Sequence, residues 1–127
     1  MTLGETVDLL TVAAAFDQRT VGEGDAMAWH SVVGDLRFAD ARQAMLGHYA
    51  DTRERVMPAD VRRRVRELRA GRVQAAEIPP PPPELLRNSR AYCEALQAAE
   101  TAIADGRDPQ AAMRAIARTV RLELEAS

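Results

Sequence analysis

The chain has 127 residues, of which 46% are hydrophobic, and its formal net charge at pH 7 is −2. A chain of this length buries one modest core, or a small domain with an appendage, and is too short for an elaborate enzyme. All 17 basic side chains are arginine, which excludes enzymes that depend on a lysine, such as ATPases with a G-x-x-x-x-G-K-[ST] phosphate loop. The small negative net charge indicates that binding to nucleic acid would need a local basic patch.

Few residues suited to covalent or metal chemistry occur in the chain. Cys93 is the single cysteine, which excludes an intrachain disulfide and a cysteine-based zinc site, and we expect it to pack between helices. The two histidines, His30 and His48, do not have the spacing of metal ligands. The sequence therefore predicts a protein that is not an enzyme and holds neither a cofactor nor a metal ion.

The chain shows no sign of a membrane or secretory segment. No apolar run approaches the roughly 18 to 20 residues that span a bilayer, and the first residues lack the basic start and apolar stretch of a signal peptide. With one cysteine, a reducing interior is the natural setting. We therefore expect a soluble, cytoplasmic protein that does not contact a membrane.

The first helix is predicted from its start and its apolar pattern. Thr2 and Glu5 have the S/T-x-x-E spacing of a capping box, in which each side chain bonds to the backbone amide of the other. The apolar residues that follow cover more than half of the helix circumference, so this helix should be the central one. They are Leu3, Val7, Leu9, Leu10, Val12 and Phe16.

Two further helices follow. Thr20 and Glu23 repeat the capping spacing ahead of the second helix, in which we expect Trp29 to be a core anchor. Gly34 is placed to end that helix, so the "GDL" segment at 34–36 should form a tight corner. The third helix carries its apolar residues on one side, namely Phe38, Ala41, Met45, Leu46 and Tyr49.

A fourth, arginine-rich helix begins near Pro58, which suits the first helical position. Its buried face should contain Val61, Val65 and Leu68, which fall together at 100° per residue. Two of its arginines have an acid four residues away and should be paired along the helix. These predicted pairs are Arg63 with Glu67 and Arg64 with Asp60.

Arg62, Arg66 and Arg69 form the first candidate site. They lie within about 60° of one another, and no acid on the same helix neutralises them. Three interpretations of this basic ridge stay open: a solvated face, a surface for an acidic groove on a protein partner, or a weak and salt-dependent contact with phosphate.

The second half of the chain starts with a run of five prolines, Pro79–Pro83. The run predicts a polyproline II rod of about 15 Å, at roughly 3.1 Å per residue, which we interpret as a spacer. Beyond it, Gly106 should end one helix and Asp108-Pro109 should cap the next, which gives an antiparallel hairpin. The predicted fold is therefore all-α, with a four-helix bundle at 1–77, a linker at 78–83 and a helical hairpin at 84–127.

A stripe of large side chains on the hairpin is the second candidate site. They recur every three or four positions, like the anchors of a helix that binds in a groove. They either face each other inside the hairpin, bind a partner, or bind a second copy of the chain. The candidate residues are Tyr92, Leu96, Ile103, Ile116 and Val120.

Several short motifs occur in a particular order within residues 3–66. They are Trp29-His30, Gly34-Asp35-Leu36, Phe38, Ala41, Ala44, His48-Tyr49 and Pro58-Ala59-Asp60-Val61-Arg62. In this order they resemble the phage replicative-helicase loader and inhibitor family, small helical proteins of actinobacterial phages and integrated elements. The resemblance implies an all-helical N-terminal domain followed by a segment that becomes ordered on the helicase; here the proline run and the hairpin occupy that place.

The resemblance also implies a function. Such a protein binds the hexameric replicative helicase, holds it inactive off DNA and delivers it to the origin complex, where an origin-binding protein is a further partner and any nucleic acid contact is weak or indirect. Without a nucleotide site it acts by binding one state of the helicase better than another. Two alternatives stay open: a DNA-binding regulator that uses the fourth helix, and a dimeric structural module whose hairpin is buried against its twin.

Overall fold

The computed structural model describes residues 1–126, and these contain α-helices with no β-strand, so the predicted all-α class is confirmed. None of the helices in this part combines the length and the apolar content that a membrane span requires. The helices are α1 (Leu3–Asp17), α2 (Glu23–Val33), α3 (Phe38–Asp51), α4 (Pro58–Ala75), α5 (Ser89–Ala104) and α6 (Pro109–Ala126), with a short 3₁₀ helix at Pro83–Arg87.

The chain divides into two compact units within α4. The first unit ends at Leu68, and the second begins at Arg69 and continues to the end of the described chain. This division lies earlier in the chain than the boundary predicted just before the prolines. On the second side of this division, the Arg69 guanidinium donates to the Asp105 carboxylate at 2.6 Å and the Arg72 guanidinium donates to the Ala104 carbonyl at 2.8 Å. The last turns of α4 are thus bonded to the end of α5.

In the first unit, α1 packs against both α2 and α3, as its wide apolar arc predicted. The predicted capping box is present: the Glu5 amide donates to the Thr2 hydroxyl at 3.1 Å, and the Thr2 amide donates to the Glu5 carboxylate at 2.8 Å. Trp29 is buried in the core, so its prediction as an anchor is confirmed. The other large core residues are Leu9, Leu10, Val33, Met45, Val56, Val61 and Val65.

Several local predictions for this unit are wrong. Three members of the predicted apolar arc of α1 are exposed, namely Leu3 at 45%, Val7 at 39% and Phe16 at 52%. Phe16 lies in the last turn of α1 and stacks on the Tyr49 ring, with 4.8 Å between ring centroids, instead of entering the core. The cap of α2 is Gly22, whose amide donates to the Asp25 carboxylate at 2.9 Å. The predicted cap, Thr20, lies before the helix start.

Helix α4 begins at Pro58, as predicted, and it supplies Val61 and Val65 to the core of the first unit. Leu68 packs partly against the same core. The buried face that the helical wheel predicted is therefore confirmed.

A buried ion pair joins the end of α1 to the rest of the first unit. The Arg19 guanidinium donates to both carboxylate oxygens of Asp17, and the two side chains are only 6% and 10% exposed. The Tyr49 hydroxyl donates to the same carboxylate, and Arg19 Nη2 donates to the Val56 carbonyl at 2.8 Å. The hydrogen bond from Arg19 holds the pKa of Asp17 far below its usual value, and burial raises the pKa of Tyr49. We call Asp17, Arg19, Tyr49 and the Val56 backbone the Asp17 cluster.

The proline run is part of the second unit and is not a free spacer. Pro81 is buried, and Pro83 opens the 3₁₀ helix, which packs against α5. Leu85 in that short helix is 2% exposed. The spacer interpretation is therefore corrected: apolar proline rings and Leu85 gain more from packing on the second unit than from remaining in water. The extended form persists locally, with Pro82 at φ −55° and ψ 141°.

Helices α5 and α6 pack against each other and run antiparallel, because the connection between them is short. Helix α5 ends in a Schellman motif, in which Gly106 has φ 92° and the Arg107 amide donates to the Ala102 carbonyl at 3.0 Å. The Ala111 amide then donates to the Asp108 carboxylate at 2.9 Å, which caps α6. The predicted end of the first helix and start of the second are confirmed.

Replacement of Asp17 by asparagine tests the Asp17 cluster. Asp17→Asn is expected to lower the free energy of unfolding by about 3 kcal/mol at neutral pH, because the buried Arg19 guanidinium loses its counter-charge. Folding lowers the pKa of Asp17, so its stabilising contribution is fully present above the unfolded pKa of about 3.9 and is lost as the pH falls below that value. The deficit of the variant, measured by urea unfolding, should therefore shrink between about pH 6 and about pH 2.

The control is Asp8→Asn, at an exposed position of the same helix, which should change the free energy of unfolding by less than about 0.5 kcal/mol. A deficit of Asp17→Asn that stays constant on acidification would contradict the role of the carboxylate charge.

Replacement of Gly106 by alanine tests the Schellman motif. Nothing lies within 4 Å of a Cβ added at Gly106, so Gly106→Ala is expected to lower the free energy of unfolding by about 1 kcal/mol through the left-handed backbone alone. Gly71→Ala is the matched control, since that Cβ also meets open space within the helical part of α4, and it should raise stability by up to about 1 kcal/mol. Thermal unfolding of both variants checks the opposite signs; shifts of the same sign would contradict the assignment.

Candidate partner-binding surfaces

Arg62, of the predicted basic ridge, is engaged within the first unit. Its guanidinium donates to both carboxylate oxygens of Asp35, at 2.6 and 3.2 Å, and to the Val32 carbonyl at 2.8 Å. The hydrogen bond from Arg62 lowers the pKa of the Asp35 carboxyl, and the same bond raises the pKa of Arg62. Arg62 thus joins the "GDL" corner to the start of α4.

The other two members of the ridge differ from each other. Arg69 donates to Asp105 at 2.6 Å, whereas Arg66 is exposed on α4. The structure therefore does not present three free guanidinium groups side by side. The helical wheel could not reveal this, because Asp35 and Asp105 belong to other parts of the chain.

The two arginines that were predicted to pair along α4 have different partners. Arg63 donates to Asp60 at 3.4 Å, and Arg64 donates to Asp51 at the end of α3 at 2.9 Å. The predicted partner of Arg63, Glu67, is therefore wrong, and so is the pairing of Arg64 with Asp60. Asp60 also accepts the Met57 amide at the start of α4, which keeps its carboxylate turned toward the beginning of the helix.

Residues of the short sequence motifs are engaged inside the first unit. Trp29 is buried, and the Arg19 guanidinium lies 5.5 Å from the centre of its ring. His48 is 3% exposed; its Nε2 lies 2.6 Å from the Glu54 carbonyl, and its ring meets Tyr49 edge-on at 5.0 Å. These contacts stabilise the fold of the first unit.

The predicted stripe of the hairpin is divided among three environments. Ile103 is buried, with 3% of its surface exposed, and Leu96 is half-buried. Tyr92 lines one groove of the second unit, whereas Ile116 and Val120 line another. Part of the stripe therefore faces inward, and part of it remains at the surface.

The first of these grooves, which we call the proline-lined groove, has a volume of about 430 Å³. It combines proline rings and Tyr92 with two arginines, and one of its lining residues, Leu86, is 69% exposed. The surface is thus apolar with positive charge at its edge. The lining residues are Pro79, Pro80, Pro81, Pro82, Pro83, Leu86, Tyr92, Gln110, Met113, Arg114, Ala117 and Arg121.

The second groove, which we call the alanine-lined groove, has a volume of about 500 Å³ and is formed by α5 and α6. One wall is a ladder of alanines on α5, and the other contains the larger aliphatic side chains of α6. The lining residues are Ala91, Glu94, Ala95, Ala98, Ala102, Arg107, Ala112, Ala115, Ile116, Thr119, Val120, Glu123 and Leu124.

Two patterns in the second unit were missed by the sequence reasoning. The alanines of α5 recur at steps of four, three and four residues, and Arg114, Arg118 and Arg121 recur at steps of four and three on α6. Such steps place side chains on one face of a helix, so both patterns were readable. Arg121 lies 3.4 Å from Glu84 in an exposed pair, whereas Arg114 and Arg118 are exposed.

Cysteine, histidine and acidic side chains are the remaining candidates for a chemical site. Cys93 is exposed on α5, so the prediction that it packs between helices is wrong. Within residues 1–126, no three His, Cys, Asp or Glu side chains are clustered so that they could hold a metal ion.

No protein-family model, curated protein or solved structure matches the chain. A functional assignment therefore depends on the two grooves, on their charges, and on the order of the motifs within residues 3–66.

A double-mutant cycle on Asp35 and Arg62 tests the link between the "GDL" corner and α4. Asp35→Asn and Arg62→Gln are expected to show a coupling free energy of about 0.5 to 1 kcal/mol, because the pair is bidentate but solvent-exposed. Urea unfolding of the two single variants and the double variant measures it. The control cycle on Asp60 and Arg63, whose single contact is 3.4 Å long, should give a smaller value, and a coupling at Arg62 no larger than this control would contradict the link.

Proposed function

We propose that the protein is a non-enzymatic adaptor that binds a hexameric replicative helicase and loads or inhibits it during phage or mobile-element DNA replication. The order of motifs within residues 3–66 supports the family, and the proline-lined groove is the single observation that carries the binding role. The groove is open, apolar and edged with arginine, as expected of a surface that takes up a protein segment.

The proline-lined groove is suited to binding because its walls are stiff. Proline side chains lose almost no conformational entropy when they are covered, and the buried Pro81 fixes the run on the second unit. A surface that is already ordered avoids much of the entropy cost of association. Leu86 and Tyr92 supply the large apolar contacts, and tyrosine is among the residues enriched where interfaces gain most of their binding free energy.

The charges of the groove indicate the kind of surface that it meets. Arg114 and Arg121 line the groove, and they would steer the adaptor toward an acidic patch on the helicase. The adaptor needs no nucleotide chemistry: it shifts the helicase between states by binding one of them more tightly, and it is released when DNA or a second protein competes.

The alternative of a DNA-binding regulator that reads DNA with α4 has less support. Arg62 and Arg69 are held by Asp35 and Asp105, so a phosphate would have to displace a carboxylate from each. The exposed Arg66 would contribute only one counterion to the salt dependence of binding, which corresponds to a slope of about −0.9.

The experiment is co-purification of the full-length protein with the replicative helicase of the phage or its host. Wild type is expected to bind at low salt and to remain largely bound at higher salt, because the contact is mainly apolar. Leu86→Asp is expected to weaken binding by about 30-fold or more, since it places a charge in the apolar contact. Met27→Asp, at a 57% exposed methionine of α2, is the matched control and should bind as wild type does.

Two results would overturn the proposal. Wild type that fails to bind the helicase at low salt would reject the adaptor role. Equal binding by Leu86→Asp and Met27→Asp would reject the proline-lined groove as the contact. Binding of duplex DNA that fades steeply with salt, and whose salt slope falls by about 1 in Arg66→Ala, would favour the regulator instead.

A further inference from the structure

The alanine-lined groove is an open apolar face on the helix pair. Ala98, Ala115 and Thr119 are exposed along it, and Ile116 and Val120 are half-buried. A helix whose one side consists of alanines allows another helix to approach to about 8 Å between axes, the close end of the usual range. The groove therefore fits α-helices better than it fits an extended peptide or a small ligand.

The charges at the two ends of the groove have opposite signs. Arg107 lies in the connection between α5 and α6, whereas Glu123 lies near the far end of α6 and Glu94 in the early part of α5. At 1.5 Å per residue the two ends are about 20 Å apart. The Asp108 carboxylate, beside Arg107, already accepts a hydrogen bond from the Ala111 amide. The Glu94 carboxylate accepts a hydrogen bond from the Arg90 guanidinium at 3.0 Å. Arg107 and Glu123 are thus the charges best placed to meet a partner.

We infer that a second copy of this chain closes the alanine-lined groove, in an antiparallel arrangement with two-fold symmetry. In that arrangement the Arg107 end of each groove faces the Glu123 end of the other, so the complementary pair occurs twice. A parallel arrangement would instead place the two Arg107 side chains together and the two Glu123 side chains together. The groove is therefore complementary to itself in only one of the two face-to-face orientations.

The same arrangement matches the shapes of the helices. With the pairs antiparallel, the alanine ladder of α5 lies against the ladder of the other copy, which permits close packing of the two backbones. On α6, Leu124 near one end of the groove comes opposite the small Ala112 at the other end, and Ile116 comes opposite Val120. The two α5–α6 pairs together form a four-helix assembly. Its core includes groove residues that are accessible to solvent in a single chain.

This inference is independent of the proposed function, because it requires no helicase. The dimer would use the alanine-lined groove, whereas the helicase would use the proline-lined groove, and the two share no lining residue. A result on one groove therefore does not decide the other.

The first measurement is the molar mass of the full chain in solution, by light scattering after size exclusion and by sedimentation equilibrium. A mass of about twice 13.9 kDa is expected at micromolar concentrations and above. A monomer at all concentrations up to about 1 mM would overturn the inference, and would leave the groove to a helix of a different protein.

The second measurement locates the interface. Ala98→Glu places a charge at an exposed alanine of the groove, and glutamate is also a good helix former. The variant is expected to be a monomer. Ala70→Glu makes the same change at an exposed alanine of α4 that lines neither groove, and it should remain dimeric. A dimer that persists in Ala98→Glu would overturn the assignment of this interface.

The third measurement tests the orientation and does not depend on the alanine variant. Arg107→Glu alone and Glu123→Arg alone should each weaken dimerisation, because each puts like charges opposite one another. The double variant Arg107→Glu/Glu123→Arg should restore the dimer, because it exchanges the two charges. A double variant that is no more dimeric than the single variants would overturn the antiparallel arrangement.

Discussion

The buried pair of Asp17 and Arg19 is the contact on which the first unit depends. Burying two charges costs several kcal/mol of desolvation for each, and this cost is offset only when every lone pair and proton finds a partner. Here the Tyr49 hydroxyl and the Val56 carbonyl supply two further hydrogen bonds. The cluster therefore requires α3 and the segment before α4 to lie against the end of α1. Gln18, at φ 62°, provides the turn between the two charges.

This requirement explains where the short motifs of the sequence lie. Trp29 packs beneath Arg19, His48 and Tyr49 sit side by side on α3, and Asp35 is joined to Arg62. The motifs that resemble the helicase loader family are thus residues that hold the first unit together. A likeness built on such residues is informative about fold. A surface for a partner is then better sought among exposed residues, and the second unit offers such residues in its two grooves.

The sequence predicted several caps and one helix face correctly, but it did not predict the partners of the arginines on α4. The capping box at Thr2, the end of α5 at Gly106 and the buried face of α4 were predicted correctly, because they are set within one or two turns. The partners of Arg62 and Arg69 could not be predicted, since they arise from the tertiary fold. The grooves were missed for a related reason: alanine spacing marks a helix face, but only the packing of α5 against α6 shows that Ala98 stays open.

Helix α6 lines both grooves, and this bears on the proposal that the protein binds a ring-shaped helicase. Arg114, Ala117 and Arg121 face the prolines, whereas Ile116 and Val120 face the alanine ladder. If the alanine-lined groove is closed by a second copy, each dimer carries two proline-lined grooves. A hexameric helicase repeats its own surface six times around the ring. If it is the partner, the second groove would bind from an effective concentration in the millimolar range when the spacing matches. Under the proposed function, weak contacts at each groove of about 430 Å³ would then suffice for a tight complex.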